Sequence, residues 1–173
     1  MTYLDKIIDT HFTEDYFRLT LPSELNSSSA TSPAWYGYLA ALNVLGTPML
    51  FSTAPLAHHF AVGTSGGKNS IDKHHIFPKH YLETIGFIND RDRNQIANFT
   101  YLDYATNIDI SDNPPAEYVQ RYKNKLGEEG YRLACEQNAL PIDFEKMDYM
   151  EFLTQRRILM AQTVRKAYKE LCR

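Results

Sequence analysis

Apolar positions recur at helical spacing toward both ends of the chain, and the middle breaks that rhythm. Near the start, Tyr3, Leu4, Ile7 and Ile8 predict one helix. Thr13 predicts the cap of a short second helix carrying Tyr16, Phe17 and Leu19, with Pro22 as its stop. The polar residues Asn26 to Thr31 read as loop. Ser32 before Pro33 is a helix start, because a proline in the first turn loses no hydrogen bond there. The apolar segment Ala34 to Leu45 then predicts a buried helix ending at Gly46. From Thr47 to Lys68 the pattern loses its period, with Pro48, Pro55 and the glycine-rich GTSGG at 63–67, and reads as loop.

The C-terminal third returns to helical spacing. Asn113, Pro114 and Pro115 mark a helix start, and Tyr118, Val119 and Tyr122 give that helix an inward face. Met150, Leu153, Met160, Val164, Ala167 and Leu171 make an apolar stripe on the last helix. Arg165, Lys166, Lys169 and Arg173 lie largely off that stripe and read as a solvated face or a phosphate contact.

Composition narrows the class more than the activity. At 173 residues, 43% apolar and 23% charged, the chain is long enough to bury a core and is neither disordered nor low-complexity. No apolar run reaches the roughly 18 residues of a membrane span, and the acidic N-terminus lacks signal-peptide features, so the expected address is the cytoplasm with no membrane partner. Cys135 and Cys172 read as free thiols. A net charge of −3 argues against holding DNA by bulk electrostatics. Any nucleic-acid role must rest on local patches or a metal.

Candidate chemistry concentrates in IDKHHIFPKH, residues 71–80. On an extended chain His74 and His75 face opposite ways, so one can bind a metal while the other takes a proton. Two adjacent histidines fill turn or half-buried positions equally well. The downstream segment adds Asn98, a strand-like Phe99 to Leu102, and a short helical stretch carrying Asn107. Asp103 reads as that stretch's cap or as a further carboxylate ligand, and His80 as a surface residue of a helix over Lys79 to Thr84. His58 and His59 form a second pair with no matching asparagines.

The order His74-His75, Asn98, Asn107 resembles the HNH, or ββα-metal (His-Me finger), nucleases. HHIFPKHYL followed by NQIANFTYLDYATNIDISDNPPAEY is more closely similar to the C-terminal HNH-type domain of the GmrSD-like type IV restriction endonucleases, over about residues 69–119. The resemblance implies that His75 is the general base, that His74 and Asn107 are metal ligands, and that Asn98 braces the loop and orients the base. It implies an α+β fold: a single, mainly helical domain wrapped around a ββα-metal finger, with N-terminal helices and loop over 1–68, the finger over 69–110 and C-terminal helices over 111–173. The expected cofactor is Mg²⁺ or Mn²⁺, with Zn²⁺, Ni²⁺ or Co²⁺ as alternatives for an imidazole-containing site.

The activity implied is metal-dependent cleavage of DNA, in bacterial restriction of modified phage DNA, with an NTP-using sensor domain as partner. Lys73, Lys79, Arg91 and Arg93 are candidate DNA contacts or ordinary solvated charges. A DNA-binding or interaction module of the same fold that no longer cuts, and an RNA-directed or toxin nuclease, are the alternatives. A histidine base predicts a cleavage rate that rises with pH through the ordinary histidine range.

Overall fold

A computed structural model describes residues 2–57 and 72–172. His58, His59 and the glycine-rich 63–67 lie outside them, and so does Lys68. Helix α1 spans Tyr3–His11. A π-helical turn at Tyr16–Thr20 continues into α2, Leu21–Glu24, and α3 spans Pro33–Val44. Strand β1, Asp72–His75, is followed by α4, Lys79–Thr84, and α5, Asp90–Arg93. A 3₁₀ turn, Ile96–Asn98, leads into β2, Phe99–Leu102, then α6, Tyr104–Ile110. The long helices α7, Pro115–Gln137, and α8, Tyr149–Leu171, flank a 3₁₀ turn at Phe144–Lys146.

The described chain is therefore mostly helical with one small antiparallel sheet, an α+β arrangement. In that sheet Lys73 pairs with Tyr101, His74 with Thr100 and His75 with Phe99. No described helix is long and apolar enough to cross a membrane.

Side-chain caps account for the starts of four helices. Ser32 caps α3 by accepting from the Trp35 N–H, and α3 gives way to Gly46 at φ +62°, where a side chain would be strained. Asn89 accepts from Arg91 N–H at the start of α5, Asp103 from Thr106 N–H at α6, and Asp148 from Met150 and Glu151 N–H at α8. Thr13 accepts from Tyr16 N–H, as its position predicts.

Pro22 does not stop its helix. The chain continues to Glu24, because Pro22 falls in the first turn of α2, and the preceding π turn carries Leu21 N–H to the Tyr16 carbonyl. Leu19 is exposed rather than inward, so Phe17 and Leu21 anchor this segment. Gly127, at φ +71°, kinks α7 into two helical runs, a conformation that favours glycine.

The core lies between α3, α8 and the sheet, and it is rich in aromatic rings. Trp35 meets Phe99 edge-on and stacks on Tyr101, while Phe77 packs against Phe152 and Tyr149. Helix α8 packs on α3, on the π turn and α2, and on the 3₁₀ turn that carries Asn98. Its inward stripe differs at the ends from the apolar pattern. Leu153, Met160 and Ala167 are buried, but Met150 and Leu171 are exposed, and Arg156 is among the most buried side chains of the protein.

Candidate active site

The histidine pair closes β1, and the chain leaving it is held on both sides. Ile76 N–H donates to the Asn98 carbonyl at 2.8 Å, extending the β1–β2 ladder by one bond. The Asn98 side chain is fully buried. Its Oδ1 accepts from Phe77 N–H at 2.8 Å, and its Nδ2 donates to the Phe77 carbonyl at 3.0 Å and the Arg93 carbonyl at 3.2 Å. An asparagine is the one residue of this size that offers an acceptor and two donors on a planar head, so it can clamp both edges of a backbone segment. Asn98 thus holds the backbone after His75, and its side chain reaches backbone rather than the imidazole.

His75 is oriented by another residue. Its Nε2 lies 3.0 Å from Asn94 Oδ1. A carbonyl oxygen only accepts, so Nε2 carries the proton and, in the neutral ring, Nδ1 holds the lone pair. The ring is half-buried and meets Phe99 edge-on, 5.0 Å between centroids. Burial lowers its pKa from 6.5 to about 4. The Asn94 bond opposes that shift, and the positive surroundings of Lys79, His74 and Lys73 add to it. The imidazole is therefore neutral at pH 7, as a base must be before it accepts a proton. Burial thus places the titration of His75 below the ordinary histidine range.

Asn94 is absent from the sequence motif. A polar residue near the end of α5, four positions before Asn98, was the available signal, and only the fold brings it to a histidine 19 positions earlier.

His74 is half-buried on β1 beside buried Thr100. Asn107 is half-buried on α6, which packs against β1, so the fold brings the helix carrying Asn107 to the strand carrying both histidines. Asp103 serves as the α6 cap. Its carboxyl is held below the ordinary aspartate range, the bonds from Thr106 and Ser52 outweighing the opposing effect of burial. His80 is exposed near Glu83.

The four candidate DNA-contacting cations separate into two kinds. Lys73 is exposed, its Nζ 4.3 Å from the Phe99 ring centre, and Arg91 is exposed on α5. Lys79 lies 3.8 Å from Asp90. Arg93 differs from the expectation: its side chain is only 10% exposed and its guanidinium joins Glu83 and Asp90, tying α4 to α5. Its task is to hold the segment whose carbonyl Asn98 grips. On the far helix, Arg165 and Lys169 pair with Glu14, which accounts for much of the basic face of α8.

One concavity of the described residues lies on the long C-terminal helices. A groove of about 500 Å³ between α7 and α8 is lined by Leu140, Pro141, Ile142, Ile158 and Leu159 with polar residues at its rim. Comparison of the chain with family models, curated proteins and solved structures finds no match.

Proposed function

We propose that this protein is a metal-dependent endonuclease domain that hydrolyses the phosphodiester backbone of DNA, built as a ββα-metal finger among helices. The observation that carries this reading is the antiparallel pair β1–β2 followed by α6, with His75 held through Nε2 by Asn94 and its loop clamped by Asn98. That combination supplies a neutral imidazole, a defined tautomer and a rigid attachment, three properties that a general base uses.

His74 and Asn107 are the residues that would hold the cation, through an imidazole nitrogen and an amide oxygen. Among the described residues no three His, Cys, Asp or Glu gather into a metal site. One imidazole and one amide oxygen suit an ion that keeps several waters, as Mg²⁺ or Mn²⁺ does. When bound, such a cation neutralises charge that builds on the phosphoryl and leaving oxygens.

The protein's own contribution is proton transfer and orientation. His75 Nδ1 takes a proton from a water as the water oxygen attacks phosphorus. The bond from phosphorus to the 3′-oxygen breaks, leaving a 5′-phosphate and, after protonation, a 3′-hydroxyl. The Nε2–H···Oδ1 bond to Asn94 strengthens as the ring becomes cationic, so it favours the transition state over the ground state. Exposed Lys73 and Arg91 supply local positive charge in a chain of net charge −3. The setting we propose is restriction of modified phage DNA in the cytoplasm, with an NTP-using sensor as partner.

The test is cleavage of plasmid DNA and of glucosylated phage DNA with Mg²⁺, Mn²⁺ or EDTA, comparing wild type with His75→Ala. Metal-dependent nicking that the substitution abolishes is the expected result. Cutting that persists in His75→Ala would remove the base. A folded, metal-binding protein that binds DNA but cuts none would favour the non-cleaving module.

A further inference from the structure

The peptide unit joining Ile76 to Phe77 is gripped at both edges by residues from distant parts of the chain. Its N–H donates to Asn98 Oδ1 at 2.8 Å, and its carbonyl accepts from the Tyr118 hydroxyl at 2.7 Å. Tyr118 comes from the first turn of α7, 42 residues beyond Ile76, and is 1% exposed. Its ring is independently seated against Phe51 and Phe144. Burial raises the phenol pKa well above its ordinary value, so the hydroxyl stays a donor at every pH the protein meets.

Without Tyr118, the carbonyl edge of this peptide would lose its partner and Asn98 alone would hold the plane. With it, the plane after Ile76 is locked, and Ile76 N–H, bonded to the Asn98 carbonyl, locks the plane before it. His75 is attached to that doubly locked residue. Its Cα–Cβ direction is set by the β1–β2 pairing and the Asn98 carbonyl, and Tyr118 adds a hold from α7, outside the strand–strand–helix unit, one peptide further on.

We infer that Tyr118 is a positioning residue of the His75 site, its hydroxyl holding the Ile76 carbonyl so that the imidazole keeps its Asn94-bonded orientation. The role in cleavage rests on the nuclease reading above; the role in holding the imidazole does not. Tyr118 touches neither His74 nor His75 in the bonds described, so its effect reaches the site only through backbone geometry. Displacement of a reacting group by about 1 Å costs on the order of a hundredfold in rate, so loss of one edge of the clamp is expected to cost tenfold or more.

The experiment compares Tyr118→Phe with Tyr131→Phe. Both remove one hydroxyl from a tyrosine about 1% exposed on α7, but the Tyr131 hydroxyl donates to Glu145 instead of to the backbone after His75. The first readout is the His75 ring Nε2–H signal by NMR at pH 7.5, identified by its loss in His75→Gln. Tyr118→Phe is expected to shift or broaden it while Tyr131→Phe leaves it in place. The second is plasmid cleavage with Mn²⁺, where Tyr118→Phe should lower kcat about tenfold at unchanged KM and Tyr131→Phe should stay within about twofold. An unmoved ring signal in Tyr118→Phe, equal changes in both variants, or a Tyr118→Phe chain that fails to fold would overturn the inference. If the wild type cuts no DNA, the nuclease reading fails, and the ring signal still decides whether Tyr118 holds the imidazole.

Discussion

Replacing Asn98 by alanine isolates the clamp from the chemistry. The side chain is fully buried and makes three hydrogen bonds, to Phe77 N–H, Phe77 carbonyl and Arg93 carbonyl. The Arg93 carbonyl keeps a long 3.5 Å contact from the Tyr149 hydroxyl, so two backbone groups lose their side-chain partner outright and one is weakened. Each buried group left unpaired costs about 1–3 kcal/mol, and a buried backbone N–H is rarely tolerated without a partner. The expected loss is therefore roughly 3 kcal/mol, which for a chain of this size lowers Tm by about 6–12 °C. Asn98→Asp should do no better: a carboxylate accepts from Phe77 N–H but has no donor for the two carbonyls, and it is buried as a charge. Urea unfolding followed by circular dichroism gives the number, with an unchanged slope identifying a true stability change. A loss below about 1 kcal/mol in a folded Asn98→Ala protein would mean that the loop after His75 does not depend on these bonds, and the reasoning about the site's rigidity would fail.

Stability in EDTA should depend on pH through His75. Its folded pKa of about 4 lies below the unfolded value near 6.5, so the unfolded chain binds more protons between those values and stability rises with pH across that window, then levels. The full shift corresponds to roughly 3 kcal/mol. Because the ring is only partly buried, solvent screening reduces the expected contribution to about 1–2 kcal/mol. Unfolding of wild type and His75→Gln at pH 4.5 and 7.5 measures it, and an equal difference at both pH values would contradict the depressed pKa. Asn107→Ala should weaken Mn²⁺ binding about tenfold, or about 1.4 kcal/mol, by titration calorimetry, and unchanged affinity would remove Asn107 from the ligand set.

The local grammar of the chain was legible where chemistry acts within a few residues. Ser32-Pro33, Asp103 and the segment Phe99 to Leu102 gave the start of α3, the cap of α6 and the extent of β2. Reading Pro22 as a stop failed because a proline near a helix start is no breaker, and the adjoining π turn is not encoded in any short pattern. The four motif positions His74, His75, Asn98 and Asn107 stood out from residue type and order alone, and the fold brings their elements together.

What holds those positions was invisible in one dimension. Arg93 looks like a surface cation among other cations until α4 and α5 fold so that Glu83 and Asp90 surround it. Arg156 falls on a helix whose stripe reads as apolar, yet its guanidinium is buried and donates to the Ala97 carbonyl, 59 residues earlier. Tyr118 reads only as an inward aromatic, and its hydroxyl finds Ile76 across 42 residues.

The amino-acid sequence by itself determined most of the long helices, strand β2 and the candidate site residues, because capping, periodicity and residue chemistry are short-range properties. Tertiary structure alone decided which nitrogen of His75 keeps its proton, how far burial lowers its pKa, and which buried groups lock the loop behind it. Those outcomes depend on desolvation and on hydrogen bonds between segments brought together by burial of a shared core, and no local pattern contains them.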